Sequence, residues 1–348
     1  MSVEIRRPSL ESLRRQVEIN STHINEHVAA FSSVFARLVS TDTLDEIIKQ
    51  RPTLTPLHFG LLAQASCQYI YLQHEDEFRD LRSWNEILPV ILAKHKQEMV
   101  NLITNRNISI TNPRRYAVLE IITNLIFKGQ PVTILDIGSG FVPLGIGVLL
   151  RKEDVPQLKF ADTPTREFLS EYVLHNNNIQ KIIATDIQSP DASWTAACSW
   201  LSLAELVEWD ARLHLLEEAS RTSTQTVEFW QIDITGDNIS FVENFGRRID
   251  LAMMSNLRYQ LQPHQEQQAF NNISKILKTG GWLVSLEYMP QGSRRRPFTF
   301  GAYLYQQKED GLQRTPYLLL RLSNADCEEI LLGADFLAVK NKLTINAN

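Results

Sequence analysis

The residues with the clearest chemical potential lie in the stretch TILDIGSGFVPLG, residues 133–145. An apolar run ends in Asp136, and Gly138 and Gly140 follow at alternate positions. Glycine lets a backbone turn tightly and approach a ligand closely, so the pattern indicates a strand that runs into a binding turn. A dinucleotide-binding turn carries glycine or alanine three residues after its second glycine. Pro143 stands there instead, where it fits the first turn of a helix, so the pattern does not favour NAD.

Two further apolar runs also end in acids, Asp186 in KIIATD and Asp233 in WQID. A fourth run, IDLAMMS, leads into polar residues at Ser255 and Asn256. Ligands of open α/β sheets sit beyond the carboxyl ends of the strands, so these side chains are expected at one edge. An acid after the second strand can accept both hydroxyls of a ribose, and the next acid can accept an exocyclic amine of adenine. This set fits S-adenosylmethionine (SAM).

The hydrophobic pattern of the elements that would position these residues changes near residue 129. Residues 1–128 carry apolar positions at helical spacing, which predicts an all-helical N-terminal lobe. From residue 129 onward, short apolar runs alternate with helical stretches, which is typical of βαβ units. We therefore predict an α/β fold with a Rossmann-like, mostly parallel seven-stranded sheet and a C-terminal antiparallel hairpin. The predicted strands cover 132–137, 181–187, 226–234, 249–255, 282–288, 315–322 and 337–345.

The same change of hydrophobic pattern predicts two domains. Residues 1–128 would form a lid and substrate lobe, and residues 129–348 would form the cofactor-binding domain. Insertions are expected at about 141–180 and 289–315, and a short helix is expected at 324–336.

The region from about 130 to 345 resembles the class I SAM-dependent methyltransferases. ILDIGSG looks like their first motif, FWQIDI looks like their third-strand acid, and RRIDLAMMSNLRYQL with LKTGGWLVSLEYM looks like their fourth and fifth strands. The resemblance implies the methyltransferase fold and SAM as cofactor. It departs from the family at Val142, where the first motif usually has its third glycine. The cofactor-binding residues that it implies are Asp136, Gly138, Ser139, Gly140, Asp186, Ile187, Asp233, Ile234, Ser255 and Asn256.

Asp162 is a second candidate for the ribose acid. The second acid usually lies about 20 residues beyond the glycines, and Asp162 in LKFAD fits that spacing better than Asp186 does. We prefer Asp186 because KIIATDI is the better strand, which requires an enlarged helical connection over 141–180. A helix cap or a buried salt bridge remains an alternative role for Asp186.

A second resemblance extends to the helical half. AKHKQEMVNLI, SITNPRRYAVLEII and ILDIGSG are similar to a bacterial family of uncharacterised proteins, in which a "tNe..R...L" segment precedes an "EvGaSaGlnL" motif. IIATDIQSPDASW and ACSWLSLAELVEWDARLHLLEEA resemble later stretches of that family. The resemblance implies that the whole chain is one evolutionary unit, and it indicates no substrate.

Residues after the fourth and fifth strands are candidates for catalysis and acceptor binding. His264 begins the helix after the fourth strand, and its ordinary pKa suits a general base; an exposed helix-start residue is the alternative. Tyr259 is the second catalytic candidate. The arginines in QGSRRRPF could clamp a carboxylate or phosphate, since guanidinium forks match those groups, or they could form a solvated loop. The substrate-binding candidates are Arg258, Tyr288, Arg294, Arg295, Arg296 and Tyr303.

These residues predict a SAM-dependent methyltransferase that acts on oxygen or nitrogen of a small molecule or peptide. One alternative is a non-catalytic binding module with the methyltransferase fold, because the first motif lacks its third glycine. Another is transfer of the aminocarboxypropyl group of SAM, because GSGFVPL resembles a segment of nicotianamine-type synthases.

The composition narrows the range of possible functions and cellular locations. A formal net charge of −5 over 348 residues gives no general attraction to nucleic acid or anionic membranes. Three scattered cysteines predict neither a disulfide framework nor a zinc cluster and suit a reducing interior. The first residues lack the apolar core of a signal peptide, and no apolar run is long enough to cross a bilayer. We therefore expect a cytoplasmic protein without a resident metal.

Overall fold

The computed structural model describes residues 42–52, 54, 56–149, 157–173, 179–199, 201–222, 227–237, 246–290 and 298–345. These residues form two compact units. The first unit comprises the described residues up to Ile110 together with Asp191–Ser220, and the second comprises those of Thr111–Pro190 and Arg221–Asn348. The division therefore follows Ile110, whereas the sequence placed a domain boundary at residue 128.

The described residues contain twelve α-helices and ten strands. The helices are α1 (Asp42–Gln50), α2 (Pro56–Gln73), α3 (Glu75–Phe78), α4 (Trp84–Lys94), α5 (Lys96–Asn105), α6 (Pro113–Phe127), α7 (Val142–Leu149), α8 (Thr163–Val173), α9 (Ala192–Ala197), α10 (Leu203–Thr222), α11 (Pro263–Ile276) and α12 (Phe336–Ile345). The strands are β1 (Val132–Ile137), β2 (Lys159–Phe160), β3 (Ile179–Asp186), β4 (Val227–Gln231), β5 (Ile249–Ser255), β6 (Leu277–Tyr288), β7 (Phe300–Lys308), β8 (Gly311–Leu312), β9 (Tyr317–Leu322) and β10 (Glu329–Leu332).

The first unit is helical throughout its described residues, and the segment after Pro190 is part of its core. Asp191 accepts a hydrogen bond from the Trp194 amide at 2.8 Å, which caps α9. The other carboxylate oxygen of Asp191 forms an ion pair with Arg106 at 3.0 Å. Trp194 is 1% exposed, and its indole donates to the carbonyl of Asn107 at 2.8 Å. Residues that the sequence analysis assigned to the cofactor-binding domain therefore belong to the helical unit.

The second unit is built on one sheet with the order β2-β10-β9-β7-β6-β5-β1-β3-β4, and β8 pairs with β7. Strands β4, β3, β1, β5 and β6 are parallel neighbours in that order. The chain order reverses between β1 and β5, which is the topological switch point of a doubly wound sheet. The predicted α/β class, a mostly parallel sheet with antiparallel C-terminal strands, is confirmed, but the sheet has ten strands in the described residues where seven were predicted.

Both faces of the central strands are buried. Neighbouring residues of β1, Ile134 and Leu135, belong to two different apolar clusters, and Leu251 and Ala252 of β5 divide in the same way. Successive side chains of a strand point to opposite faces. The double burial explains why these strands read as continuous apolar runs in the sequence.

The C-terminal region differs from the prediction in two places. Residues 324–336 were predicted as a helix but contain β10, which pairs with β9 and with β2. Residues 337–345 were predicted as a strand but form α12, because Phe336 and Val339 are buried on one helical face. The antiparallel strands next to β6 are therefore β7, β9 and β10. Part of the expected insertion at 289–315 is β7, a strand of the main sheet.

No helix in the described part of the chain combines the length and the apolar character needed to cross a membrane.

Candidate functional site at the carboxyl ends of the parallel strands

The turn after β1 is hydrogen-bonded to the neighbouring strand β3. Gly138 and Gly140 have φ angles of +69° and +58°, a region that glycine adopts without steric cost. The amides of Gly138 and Ser139 both donate to the carbonyl of Thr185, at 2.8 and 3.1 Å. Helix α7 begins two residues after the turn, with Pro143 in its first turn as the sequence predicted.

Asp186, the last residue of β3, lies directly beside this turn. Its Oδ2 accepts a hydrogen bond from the amide of Gly140 at 3.0 Å, and its Oδ1 accepts one from the amide of Gln188 at 3.3 Å. Burial raises the pKa of this carboxyl, and the backbone amides oppose the rise. Ile187, the next residue, exposes 42% of its surface. The turn and the second acid thus form one hydrogen-bonded unit with an apolar neighbour.

Asp136 faces inward rather than toward the edge of the sheet. It is 2% exposed, and its carboxylate accepts a hydrogen bond from the Tyr116 hydroxyl at 2.7 Å. Burial raises the pKa of Asp136 to about 7, although the bond from Tyr116 opposes the rise. A Cβ atom on Gly145 would lie 2.4 Å from the Tyr116 ring, so only glycine leaves room for this tyrosine. The Tyr116 hydroxyl also lies 3.3 Å from the carbonyl of Ser139, so this tyrosine links Asp136 to the turn.

Asp162 occupies a different part of the sheet. It follows β2, which forms one edge of the sheet, whereas β3 and β1 lie toward the other edge. Its Oδ1 accepts a hydrogen bond from the amide of Thr165 at 2.8 Å, which caps the start of α8. Of the two acids considered for the ribose, only Asp186 lies beside the glycine turn.

Asp233 and Ile234 follow β4 at the same edge as Asp186. Asp233 is exposed, and its Oδ1 accepts hydrogen bonds from the amide and the hydroxyl of Thr235, at 2.8 and 2.6 Å. Ile234 is 5% exposed, and its carbonyl accepts a hydrogen bond from the side chain of Asn272 at 2.8 Å. The backbone after β4 is therefore fixed, and Asp233 stands at the surface.

The ends of β5 and β6 carry buried polar atoms without partners. Within the described residues, the Ser255 hydroxyl, the Asn256 side-chain oxygen and the Ser285 hydroxyl make no hydrogen bond. Asn256 also has a φ of +54°, a strained region that asparagine tolerates better than most residues. Buried polar atoms without partners are rare in native proteins and call for a bound water or ligand. Ser255 and Asn256 were sequence candidates, and Ser285 was not.

Glu287 is a site residue that the sequence analysis missed. It is 3% exposed, and its Oε1 accepts hydrogen bonds from the amides of Leu257 and Arg258, both at 3.1 Å. Burial raises its pKa to about 7, and the amides and the Arg258 guanidinium oppose the rise. Glu287 thus holds the loop after β5. A lone acid inside the apolar run WLVSLEY is the signal that could have found it.

The structure does not gather all acceptor candidates around this loop. Arg258 is occupied by Glu266, which accepts from its Nε at 2.7 Å, and by Tyr305, whose hydroxyl lies 3.2 Å from Nη1. His264 is exposed in the first turn of α11.

Two of the remaining acceptor candidates, Tyr288 and Tyr303, lie on β6 and β7. Tyr288 is 47% exposed and packs edge-on against Phe300 at 5.2 Å between ring centroids. Tyr303 is half-buried on β7, and burial raises its pKa. Tyr259 lies in the short 3-10 turn Arg258–Gln260, and its side chain is outside the described residues, as are Arg294, Arg295 and Arg296.

The two buried acids give the free energy of unfolding a characteristic pH dependence. Folding raises the pKa values of Asp136 and Glu287 from 3.8 and 4.5 to about 7, so between these limits the native state holds more protons than the unfolded state. Stability should therefore fall as the pH rises from about 4 to 7. Asp136→Asn and Glu287→Gln keep the hydrogen-bond acceptors and should each remove on the order of 1–3 kcal/mol of that fall.

Urea unfolding at about pH 5 and about pH 8 measures this difference. Asp162→Asn is the control, because Asp162 is exposed and its pKa is lowered by hydrogen bonds from Thr165. A fall in stability that is the same in all three variants and in the unmodified chain would contradict the assignment to the two buried acids.

Comparisons with known proteins find similar solved structures but no matching sequence family. No known protein family and no curated protein sequence matches the chain. A candidate SAM-dependent methyltransferase from Methanococcus maripaludis is 18% identical over 49% of this chain and 54% of its own, with a TM-score of 0.27. The 1,6-didemethyltoxoflavin-N1-methyltransferase of Burkholderia thailandensis, solved with S-adenosylhomocysteine, is 12% identical over 64% of this chain and 70% of its own, with a TM-score of 0.28. Spermidine synthase from Thermotoga maritima is 11% identical over 52% of this chain and 46% of its own, with a TM-score of 0.27.

The match spans only about half the length of the Methanococcus maripaludis protein. At these identities and TM-scores, the similarities carry no argument about what this chain binds or transforms. Its cofactor and its reaction have to be inferred from the geometry of its own strand ends.

Proposed function

We propose that the chain binds SAM at the carboxyl ends of β1, β3 and β5 and transfers its methyl group to a small molecule or peptide. The observation that carries the proposal is the hydrogen bond between Gly140 and Asp186, which fixes the turn after β1 beside the switch point between β1 and β5. It joins a close-approach turn to a carboxylate in one rigid unit. Ligands of doubly wound sheets bind at this point.

The nucleoside half of SAM would lie on the β3 and β4 side. Asp186 would accept the ribose hydroxyls, since a carboxylate has about four lone-pair sites and the neighbouring backbone amides do not use all of them. Ile187 would cover one face of the adenine, which explains an exposed isoleucine at this edge. Asp233 would accept the exocyclic amine through the oxygen that Thr235 leaves free.

The methionine half would lie over the turn toward β5. Gly138, Ser139 and Gly140 form a turn there without bulky side chains, and the Tyr116 hydroxyl links this turn to Asp136. Ser255 and Asn256 would supply the oxygens that now lack partners in the described structure. An ammonium group carries three donors and would satisfy such acceptors.

In the reaction, a lone pair on the acceptor attacks the methyl carbon, the carbon–sulfur bond breaks, and its electrons remain on sulfur as S-adenosylhomocysteine forms. Alignment of the acceptor with the methyl group accounts for most of the rate enhancement that the protein must provide. An oxygen or nitrogen acceptor also loses a proton to a base. His264 and Tyr259 are the candidates for that base, and Glu287 holds the loop after β5 through the amides of Leu257 and Arg258.

The acceptor would lie beyond β5 and β6. Tyr288 exposes nearly half of its surface and offers a ring face to an aromatic or apolar acceptor. Arg258 is less suited to bind a substrate anion because Glu266 already neutralises it. Tyr303 and the arginines at 294–296 remain candidates for the acceptor pocket.

Isothermal titration calorimetry with SAM and with S-adenosylhomocysteine tests the cofactor. We expect both to bind with dissociation constants well below about 1 mM. A folded protein that binds neither would exclude the proposal. Mass spectrometry of a modified acceptor then distinguishes methyl transfer, which adds the mass of one methylene group, from transfer of the larger aminocarboxypropyl group.

A further inference from the structure

Three potential metal ligands converge in the helical unit, far along the sequence from the glycine turn. His74 follows the end of α2, His95 lies between α4 and α5, and Glu98 is in the first turn of α5. All three side chains are partly buried, and their ligand atoms lie within 4.8 Å of one another. No sequence motif joins them, because the two histidines lie on different helical segments.

The distances between the three ligand atoms also fit a tetrahedral ion. His74 Nε2 and His95 Nδ1 lie 3.2 and 3.3 Å from the same oxygen, Glu98 Oε2. Nitrogen and oxygen ligands bind Zn²⁺ at about 2.0–2.2 Å, so two ligands of a tetrahedral site are about 3.3–3.5 Å apart. Both measured separations are close to that edge length. The imidazole rings lie side by side, with centroids 4.4 Å apart.

A second carboxylate orients one of the histidines. The other ring nitrogen of His95, Nε2, lies 2.9 Å from Glu77 Oε2. Glu77 also binds Lys94, and the hydrogen bonds from Lys94 and His95 hold the pKa of Glu77 below its usual range. A hydrogen bond of this kind fixes the proton on Nε2 and leaves the Nδ1 lone pair free for a metal. Histidine ligands of zinc are usually supported in this way.

We propose that His74 Nε2, His95 Nδ1 and Glu98 Oε2 bind a zinc ion, with Glu77 supporting His95 from outside and water in the fourth position. Two imidazoles and one carboxylate form a donor set that zinc accepts. The ion would tie the end of α2 to the junction of α4 and α5. The site is independent of the proposed SAM site, so either can fail without the other.

Titration of the purified full-length chain with Zn²⁺, in competition with a chromogenic chelator, tests the proposal. We expect one tight equivalent in the unmodified chain and loss of that equivalent in His74→Ala and Glu98→Gln. Glu77→Gln should weaken binding about 10- to 100-fold while the three ligands remain. His214→Ala is the matched control, because His214 lies 3.8 Å from both Asp210 and Glu217 on α10 but belongs to no such cluster among the described residues.

Co²⁺ provides a readout that does not depend on the variants folding. The Co²⁺-loaded unmodified chain should show the intense visible absorption of a four-coordinate ion, and one equivalent of Zn²⁺ should abolish it. Weak absorption of an octahedral ion, or Zn²⁺ binding that His74→Ala and His214→Ala reduce equally, would overturn the proposal. In that case the contacts are ordinary hydrogen bonds between histidine and carboxylate.

Discussion

Replacing Asp186 with alanine is expected to weaken SAM binding about 10- to 100-fold. The variant removes the charged acceptor proposed for the ribose hydroxyls, and hydrogen bonds to charged groups contribute about 1.5–3 kcal/mol. It also frees the amide of Gly140, which donates to Asp186 at 3.0 Å and keeps the turn in position. Calorimetric titration of the variant with SAM and S-adenosylhomocysteine measures the loss.

Two further variants separate these causes. Asp186→Asn retains an acceptor for the amide of Gly140 and removes only the charge, so it should lose part of the affinity. Asp162→Ala should bind SAM as the unmodified chain does, because Asp162 caps α8 beside the opposite edge of the sheet. If Asp162→Ala lost affinity and Asp186→Ala kept it, the ribose acid would have been assigned to the wrong residue.

Gly145→Ala is expected to destabilise the protein by about 2–5 kcal/mol. Its Cβ would lie 2.4 Å from the ring of Tyr116, a buried residue that cannot move into solvent. Overpacking of a core costs about 1–3 kcal/mol. A displaced Tyr116 also leaves the buried carboxyl of Asp136 without its partner, which costs about 1–3 kcal/mol more. Urea unfolding of the variant measures the change in the free energy of unfolding.

A double-mutant cycle with Tyr116→Leu tests the cause of this loss. The smaller side chain removes the ring that the new methyl group would strike, so Gly145→Ala should cost less in that background. An equal cost in both backgrounds would show that contact with the ring is not responsible. Because the same pair supports the turn after β1, we also expect Gly145→Ala to weaken SAM binding.

The central strands could be predicted because their burial leaves a direct mark on the sequence. The runs at 132–137 and 249–255 coincide with β1 and β5 to the residue, since both faces of these strands are buried and most of their positions are apolar. Asp136 in β1 and Asp186 at the end of β3 could be predicted for the same reason. Asp186 interrupts an apolar run at the point where β3 reaches the edge of the sheet.

The predictions for the C-terminal elements were wrong because short apolar runs fit both the helical and the strand period. Residues 337–345 alternate like a strand, but Phe336, Val339 and Leu343 also match one face of a helix, and α12 forms. Strand β10 exists because β9 and β2 pair with it on either side. The pairing with β2 joins residues far apart in the sequence, which local periodicity does not reveal.

Partners in the candidate site could be recognised only in three dimensions. Tyr116 lies in a segment that the sequence predicts only as helical, yet its hydroxyl is the hydrogen-bond partner of the buried Asp136. In the sequence, spacing favours Asp162 and the strand pattern favours Asp186, and the strand order then brings Asp186 beside the glycine turn. The same holds for His74 and His95, which meet because two helical segments fold against each other.

The most direct test of the account is a crystal structure of the full chain grown with S-adenosylhomocysteine. The account predicts the ligand over the Gly138–Gly140 turn, with its ribose hydroxyls on Asp186, its adenine beside Ile187 and its amino group near Asn256. A ligand bound at any other place, with Asp186 still engaged only by the backbone amides of Gly140 and Gln188, would contradict it.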